Sequence, residues 1–246
     1  APAAPRHWRR AGAIAASTAV AVLSWLGYST LTGPQTYATD IGEQKTVALE
    51  DGSIVYLNTQ TRLEVRLTAQ ERALRLVEGE ALFVVKKDTA RPFTVRTADT
   101  RVRALGTQFN VQRRSGDTQV AVVEGLVQVG DNTRLSAGEG ADVSRGRILR
   151  QGPIDAGRTL AWRQRRLVFE DDTLADVARE FNRYNSKISL WPDAAAATER
   201  FTGTFDADAP ETFLAAVTAG GELQAQRGGG GRITIRRRAG ASDRQP

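Results

Sequence analysis

Leu105-Gly-Thr-Gln-Phe-Asn-Val111, followed by Gln119-Val-Ala-Val-Val-Glu-Gly-Leu-Val-Gln-Val129 and Leu135-Ser-Ala-Gly138, decides how this chain is read. Apolar residues alternate along these segments with the two-residue period of strands that bury one face. Gly106, Gly116-Asp117, Gly125 and Gly130-Asp131 supply turns that tolerate positive φ. Upstream the same grammar recurs at Thr46–Leu49, Ile54–Leu57 after the Asp51-Gly52 turn, Leu63–Leu67, Ala73–Val77, Ala81–Val85, Phe93–Thr97 and Thr100–Ala104. Short strands at regular spacing predict an all-β domain of stacked short strands over residues 46–150. A quasi-repeat runs through it, with Val77-Glu-Gly-Glu-Ala-Leu-Phe83 matching Val123-Glu-Gly-Leu-Val127. Each copy is expected to place a Glu-Gly turn between two apolar strands. Glu78 and Glu124 then read as equivalent turn positions rather than a working carboxylate pair.

Beyond Arg150 the pattern changes. Gly152-Pro153 and Gly157 mark a linker over 151–160, and Trp162 and Leu167-Val-Phe169 lead into a helix. Leu174, Val177, Ala178 and Phe181 recur at helical spacing, and Thr173-x-x-Asp176 reads as a capping box. A strand at Ile188–Leu190 ends at Pro192. The same order then repeats: strand Phe201–Phe205, a cap with an early proline at Asp208-Ala-Pro-Glu211, a helix face of Phe213, Leu214 and Val217, and a stop at Gly220-Gly221. Leu223–Gln226, the glycines 228–231 and Ile233–Ile235 form a closing hairpin. Residues 161–238 are thus expected to form an α+β domain of two strand-helix-strand units, and 239–246 a disordered tail.

The other end is different again. No charged side chain lies between Arg10 and Asp40, and residues 11–31 are mainly Ala, Val, Ile and Leu with Trp25 and Tyr28. About 20 residues of helix cover a hydrocarbon core of roughly 30 Å. The reading is a single transmembrane helix at 11–31, with a cytoplasmic flank at 1–10 and a spacer at 32–45. Arg6, Arg9 and Arg10 precede the span and no Lys or Arg follows it before Lys45, which places the N-terminus in the cytoplasm and residues 40–246 in the periplasm. A cleaved signal peptide ending near Thr36-Tyr-Ala38 and a buried soluble helix are the rival readings. The chain does not begin with methionine.

The formal charge of +6 belongs to the ends: residues 1–39 hold +3 and residues 227–246 hold +5, which leaves −2 for residues 40–226. A nucleic-acid reader concentrates positive charge on its folded body. No nucleic-acid partner is therefore expected. The chain has no cysteine and one histidine, His7. That excludes a disulfide framework and leaves a metal centre or histidine-based triad without material. Glu170-Asp171-Asp172 precedes a helix, where negative charge suits the dipole, and the glycines 228–231 lack the following Lys-Ser/Thr of a phosphate cradle. No enzyme, cofactor or metal is expected.

The Leu-Gly-Thr-x-Phe-Asn-Val segment with its Val-x-Val-Val-Glu-Gly-x-Val continuation resembles the FecR family of membrane-spanning sensor-regulators, over roughly residues 40 to 237. Leu160-Ala-Trp162 and Phe181-Asn-Arg-Tyr184 are similar to that family's version of the STN-like module, which also opens signalling TonB-dependent receptors and secretins. The resemblance implies the periplasmic sensor part of a transmembrane anti-sigma regulator in the inner membrane. Its partners would be the signalling domain of a TonB-dependent ferric-siderophore receptor, periplasmic and intramembrane proteases, and a cytoplasmic ECF sigma factor. The last is held in the family by a helical domain of about 80 residues, which Ala1–Arg10 cannot supply, so contact with the sigma factor is expected through a missing N-terminal segment. Partner-binding candidates are Leu174, Val177 and Phe181 on the first helix. Arg232, Ile233, Thr234 and Ile235 join them on a closing strand that can offer an exposed edge. The Gly106-Thr107 bond is a self-cleavage candidate, because the matching bond breaks unaided in some FecR-like regulators. In that chemistry the Thr107 hydroxyl attacks the Gly106 carbonyl, the acyl group moves from nitrogen to oxygen, and water hydrolyses the ester. Gly203-Thr204 is the same dipeptide where no cleavage is expected. The alternative is a membrane-anchored envelope protein that binds peptidoglycan or polysaccharide. A row of exposed aromatics would favour it, but Tyr56, Phe83, Phe93 and Phe109 sit in apolar alternation.

Overall fold

A computed structural model describes residues 33–114 and 116–238. The expected membrane span at 11–31, His7 and the tail at 239–246 lie outside the described residues. Among those described, no helix is long and apolar enough to cross a membrane. The described residues from 36 to 238 group as one compact unit.

Thirteen strands build the N-terminal part. They are β1 (Gln35–Ala38), β2 (Lys45–Ala48), β3 (Ile54–Leu57), β4 (Arg62–Leu67), β5 (Arg72–Val84), β6 (Phe93–Arg96) and β7 (Arg101–Ala104), then β8 (Gln108–Arg114), β9 (Asp117–Glu124), β10 (Leu126–Val129), β11 (Thr133–Ser136), β12 (Glu139–Ser144) and β13 (Arg147–Pro153). The pairing order is β11-β10-β7-β6-β5-β8-β9-β12-β13, with β4 and the β2-β3 hairpin also on β5. The long strand β5 organises this. Its first half pairs with β4 and β6, its second half with β3 and β8. The chain of strands therefore doubles back at β5, and both halves fill one hydrophobic cluster. Phe83 stacks on Phe109 at 5.2 Å between ring centres and meets Phe93, from the other half, edge-on at 5.9 Å.

The expected turn at Glu78-Gly79 is not a turn. Ala73–Val77 and Ala81–Val85 are largely one continuous strand, kinked by a register shift opposite Arg62-Leu63. Gly79 has φ of +88°, and a Cβ there would lie 2.3 Å from Thr61 Oγ1. Only glycine fits a kink that tight against β4. The expected spacer at 32–45 contains β1 and the start of β2, and the expected linker at 151–160 is occupied by the end of β13 and a short helix.

After β13 come α1 (Ala156–Leu160), a 3-10 turn (Ala161–Gln164), β14 (Arg166–Thr173), α2 (Leu174–Tyr184), β15 (Ser189–Pro192), β16 (Arg200–Asp206), α3 (Pro210–Ala219), β17 (Leu223–Arg227) and β18 (Arg232–Arg237). Both strand-helix-strand units are present, but their strands are shared across two small sheets. β14 pairs with β16, and β15 lies parallel to β18, which pairs antiparallel with β17. The Thr173 hydroxyl accepts from the Asp176 N–H and donates to its carboxylate, closing the expected cap of α2. A second hydrophobic cluster lies here, in which the rings of Phe181 and Phe205 meet each other and each also meets Phe169 and Phe213.

Candidate functional site

The two clusters meet on β5. Ala81 and Phe83 point into the first, while Leu82 belongs to the second. Glu80 shares the face of Leu82, so its carboxylate is buried beneath α2 at 5% exposure. A buried anion needs a full set of donors. Asn110 Nδ2 donates to Oε1 at 3.0 Å, and Asn58 Nδ2, Gln112 Nε2 and Arg183 Nη2 donate to Oε2 at 2.8, 3.0 and 3.2 Å. Asn58 and Asn110 come from the β scaffold, as does Gln112, while Arg183 comes from α2.

This arrangement explains each residue of Phe181-Asn-Arg-Tyr184. Phe181 is fully buried in the second cluster. The Asn182 amide accepts from Leu190 N at 2.7 Å and donates to Leu190 O at 2.9 Å, fastening β15 to the helix. Arg183 reaches Glu80 and also pairs with Glu180, which in turn receives Arg114 of β8. Burial disfavours the Arg183 charge, but Glu180 and Glu80 outweigh it and raise its pKa. The Tyr184 hydroxyl accepts from Asn58 Nδ2 at 2.7 Å, and burial pushes its pKa well above the usual phenol value. Thr59 Oγ1 donates to Arg183 O at 2.8 Å, and Gln44 Nε2 donates to Trp162 O at 2.7 Å. Helix α2 and the 3-10 turn are thus clamped to the β scaffold by side chains from both sides.

Beside the clamp lies a cleft of about 510 Å³, lined among others by Gln119, Asp142, Arg150, Arg158, Trp162 and Asp172. Three polar atoms at its margin, Asn110 Oδ1, Arg114 Nε and Trp162 Nε1, are buried without a hydrogen-bond partner. Such orphans are rare in folded proteins, and they gather at the joint between the two clusters. No Ser, Cys, His or Lys is among the described residues lining the cleft, and its Thr159 hydroxyl donates to Asp155 O at 2.7 Å. The acids of Glu170-Asp171-Asp172 face cations instead, Asp172 and Glu170 taking Arg158 and Asp171 taking Arg200.

The expected binding residues fall elsewhere. Leu174, Val177 and Phe181 are fully buried, so they pack the core and offer no partner surface. The expected free edge at β18 is also corrected: this strand lies between β15 and β17, both its ladders are occupied, and Ile233 and Ile235 are core. Arg232 and Thr234 remain partly open, with the Arg232 guanidinium 4.4 Å from the ring centre of exposed Trp191. The sequence did not reveal the edges because strand order is not written in strand periodicity. Asn58, Glu80, Asn110 and Gln112 were missed too. Their signal was present as polar residues inside runs that pack on both faces, with Glu80 directly before Ala81-Leu-Phe83.

Gly106 and Thr107 lie in the turn between β7 and β8. Leu105 O accepts from Asp88 N and Thr107 O from Val85 N, so both flanks of the bond are held. A Cβ on Gly106 would approach Lys87 Cβ to 2.8 Å. Thr107 Oγ1 is buried and has no partner, and Thr107 Cγ2 packs on Gly125 of the Val-Glu-Gly motif. The two motifs quoted first are therefore spatial neighbours. Phe83, Phe93 and Phe109 are fully buried, Tyr56 is half-buried under Arg163 and Tyr37 packs partly buried on the first cluster, so among the described residues no aromatic row faces solvent on the β scaffold.

Residues 35–128 match the family model described as FecR protein. Two solved structures of a proposed anti-sigma factor from Parabacteroides distasonis ATCC 8503 share the fold, with TM-scores of 0.72 and 0.73 at 28% identity. They cover 84% and 83% of this chain and 100% of their own. No curated protein matches the chain. The segment from Gln35 to Gln128 is therefore a match to the FecR family, and the fold around it is that of the Parabacteroides distasonis structures.

Proposed function

We propose that this chain is the sensor part of a transmembrane anti-sigma regulator. The observation that carries this reading is the likeness to a proposed anti-sigma factor over 84% of the chain, at a TM-score of 0.72 and 28% identity. In this reading residues 11–31 span the inner membrane with the N-terminus in the cytoplasm, and residues 40–246 lie in the periplasm. The C-terminal module, residues 161–238, is the STN-like receiver for the signalling domain of a TonB-dependent ferric-siderophore receptor. Its state governs an ECF sigma factor on the cytoplasmic side, with periplasmic and intramembrane proteases as downstream partners. The Glu80–Arg183 clamp supports transmission, because a partner that moves α2 must disturb a buried ion pair of the β scaffold. The test is a titration of the chain with signalling domains from candidate receptors. Saturable binding of one domain is expected; binding of none would overturn the receptor assignment.

We also propose that Gly106-Thr107 can undergo the acyl shift. Its support is that the Thr107 hydroxyl is committed to no hydrogen bond and the Gly106 side of the bond is exposed to water. Intact mass would show two fragments from the wild type and one species from Thr107→Ala. A single wild-type species would remove this step and leave the regulator reading intact.

A further inference from the structure

The slightly acidic body conceals a segregated basic face. The sheet half β4-β5-β6-β7-β10-β11 buries Leu63, Val65, Leu74, Val95, Val102, Val127 and Leu135 on its inner side. The register fixes what stands on the outer side. One cross-strand row reads Arg66, Ala73, Thr94, Arg103, Gln128, Arg134, and the next reads Glu64, Arg75, Arg96, Arg101. Six arginines thus share a face about 24 Å wide, taking roughly 4.8 Å per strand. All six are exposed. The acids nearby are few: Glu64 pairs with Arg75 at 3.7 Å, Asp131 pairs with Arg101 at 2.9 Å, Glu78 pairs with Arg62 at 3.4 Å, and Glu71 stands at the border. Arg66, Arg96, Arg103 and Arg134 have no ion pair or hydrogen bond among the described residues. A depression of about 280 Å³, with Ala73 and Thr94 among its lining, lies beside Arg96, Arg101 and Arg103.

We propose that this face docks on an anionic phospholipid surface. Charge complementarity calls for a negative partner, which excludes a second copy laid face to face. The centre of the face decides between a membrane and an acidic protein. Specific protein interfaces place apolar and aromatic anchors at the centre and charge at the rim. Here the order is reversed, with guanidinium groups around short Ala73 and Thr94 in the middle. The large apolar side chains, Leu105 and Leu126, stand at one border, 44% and 49% exposed. Broad unpatterned positive charge with leucines at its margin matches a headgroup layer, whose phosphates accept the guanidinium fork wherever they lie. This contact is independent of the membrane span read from residues 11–31.

The absence of cysteine permits a clean test. The chain carrying Gln128→Cys, labelled with an environment-sensitive dye, is added to phosphatidylcholine vesicles with rising phosphatidylglycerol content. A second chain labelled at Ala195→Cys, on the C-terminal module, is the control. An anchor alone would not bring residue 128 into an apolar environment. The expected result is a blue shift at 128 that grows with phosphatidylglycerol, reverses in high salt and is absent at 195. Each arginine near an anionic surface contributes on the order of five-fold, so Arg96→Gln with Arg103→Gln weakens the contact about thirty-fold. Both positions are exposed, so the fold is expected to survive, and Arg96→Lys with Arg103→Lys should retain the shift. Equal spectra at 128 in charged and neutral vesicles would overturn the proposal and assign the face to an acidic protein. A shift indifferent to the double Gln variant would overturn it as well.

Discussion

Four side chains converge on the Glu80 carboxylate, and only one of them, Arg183, carries a charge. Removing it leaves an anion buried among amides, a larger loss than any of the hydrogen bonds alone. Arg183→Ala should therefore destabilise the protein by about 3–5 kcal/mol in urea unfolding. Glu80→Gln with Arg183→Met, which removes both charges and keeps the volume, should recover most of it. A double variant as unstable as the single one would show that packing, not charge, was lost. A second buried pair, Arg72–Asp51 at 3.0 Å, lies in the β scaffold with its side chains 0% and 3% exposed. Burial raises the Asp51 pKa, but the Ser53 N–H and hydroxyl and the Arg72 guanidinium outweigh it and hold it below its ordinary 3.8. A depressed carboxyl pKa adds stability that is complete above the unfolded value and is lost as pH falls through the folded one. Unfolding free energy should thus drop below about pH 4, and Asp51→Asn should flatten that part of the profile.

Strands and helices were more legible than their neighbours. The capping box, the helix faces and most β segments follow from period and turn chemistry, which act within a few residues. The continuity of β5 did not, because a Glu-Gly pair looks the same in a turn and in a kinked strand. Only the close approach of Thr61 to Gly79 separates them. The position of β18 was invisible for a related reason: a central and an edge strand of six residues can carry the same alternation. Its two occupied ladders make a strong prediction. Thr234→Pro removes an N–H from the middle of a sheet and should cost about 3 kcal/mol or more, abolishing the near-ultraviolet signal of Trp191 at moderate urea. Were β18 an edge, the same change would be tolerated. By contrast Thr173→Ala removes only the cap of α2 and should cost about 1 kcal/mol.

At the scale of the whole molecule, the question is whether the two clusters melt together. The formal charge of −2 for residues 40–226 showed neither the arginine face nor the clamp, since net charge discards position. The clamp is built from residues more than a hundred positions apart, such as Asn58 with Tyr184 and Gln44 with Trp162. Its ties are polar and directional, and Leu82 adds an apolar one. Coupling of this kind should make unfolding one cooperative transition. The tryptophans allow a check, because residues 33–150 contain none, whereas Trp162 and Trp191 belong to the C-terminal module. In the wild type, tryptophan fluorescence and far-ultraviolet circular dichroism should trace the same melt, with Trp8 and Trp25 adding a background from the N-terminal segment. Arg183→Ala with Tyr184→Phe cuts the ties to Glu80 and Asn58 while leaving both clusters filled. Fluorescence should then report melting of the smaller C-terminal cluster several degrees before the β signal is lost. Coincident melts in that variant would show that Leu82 and the ties left in place, Thr59 with the Arg183 carbonyl, Gln44 with the Trp162 carbonyl and Arg114 with Glu180, carry the coupling, and that a partner acting on α2 reaches the β scaffold without the buried Glu80–Arg183 charge pair.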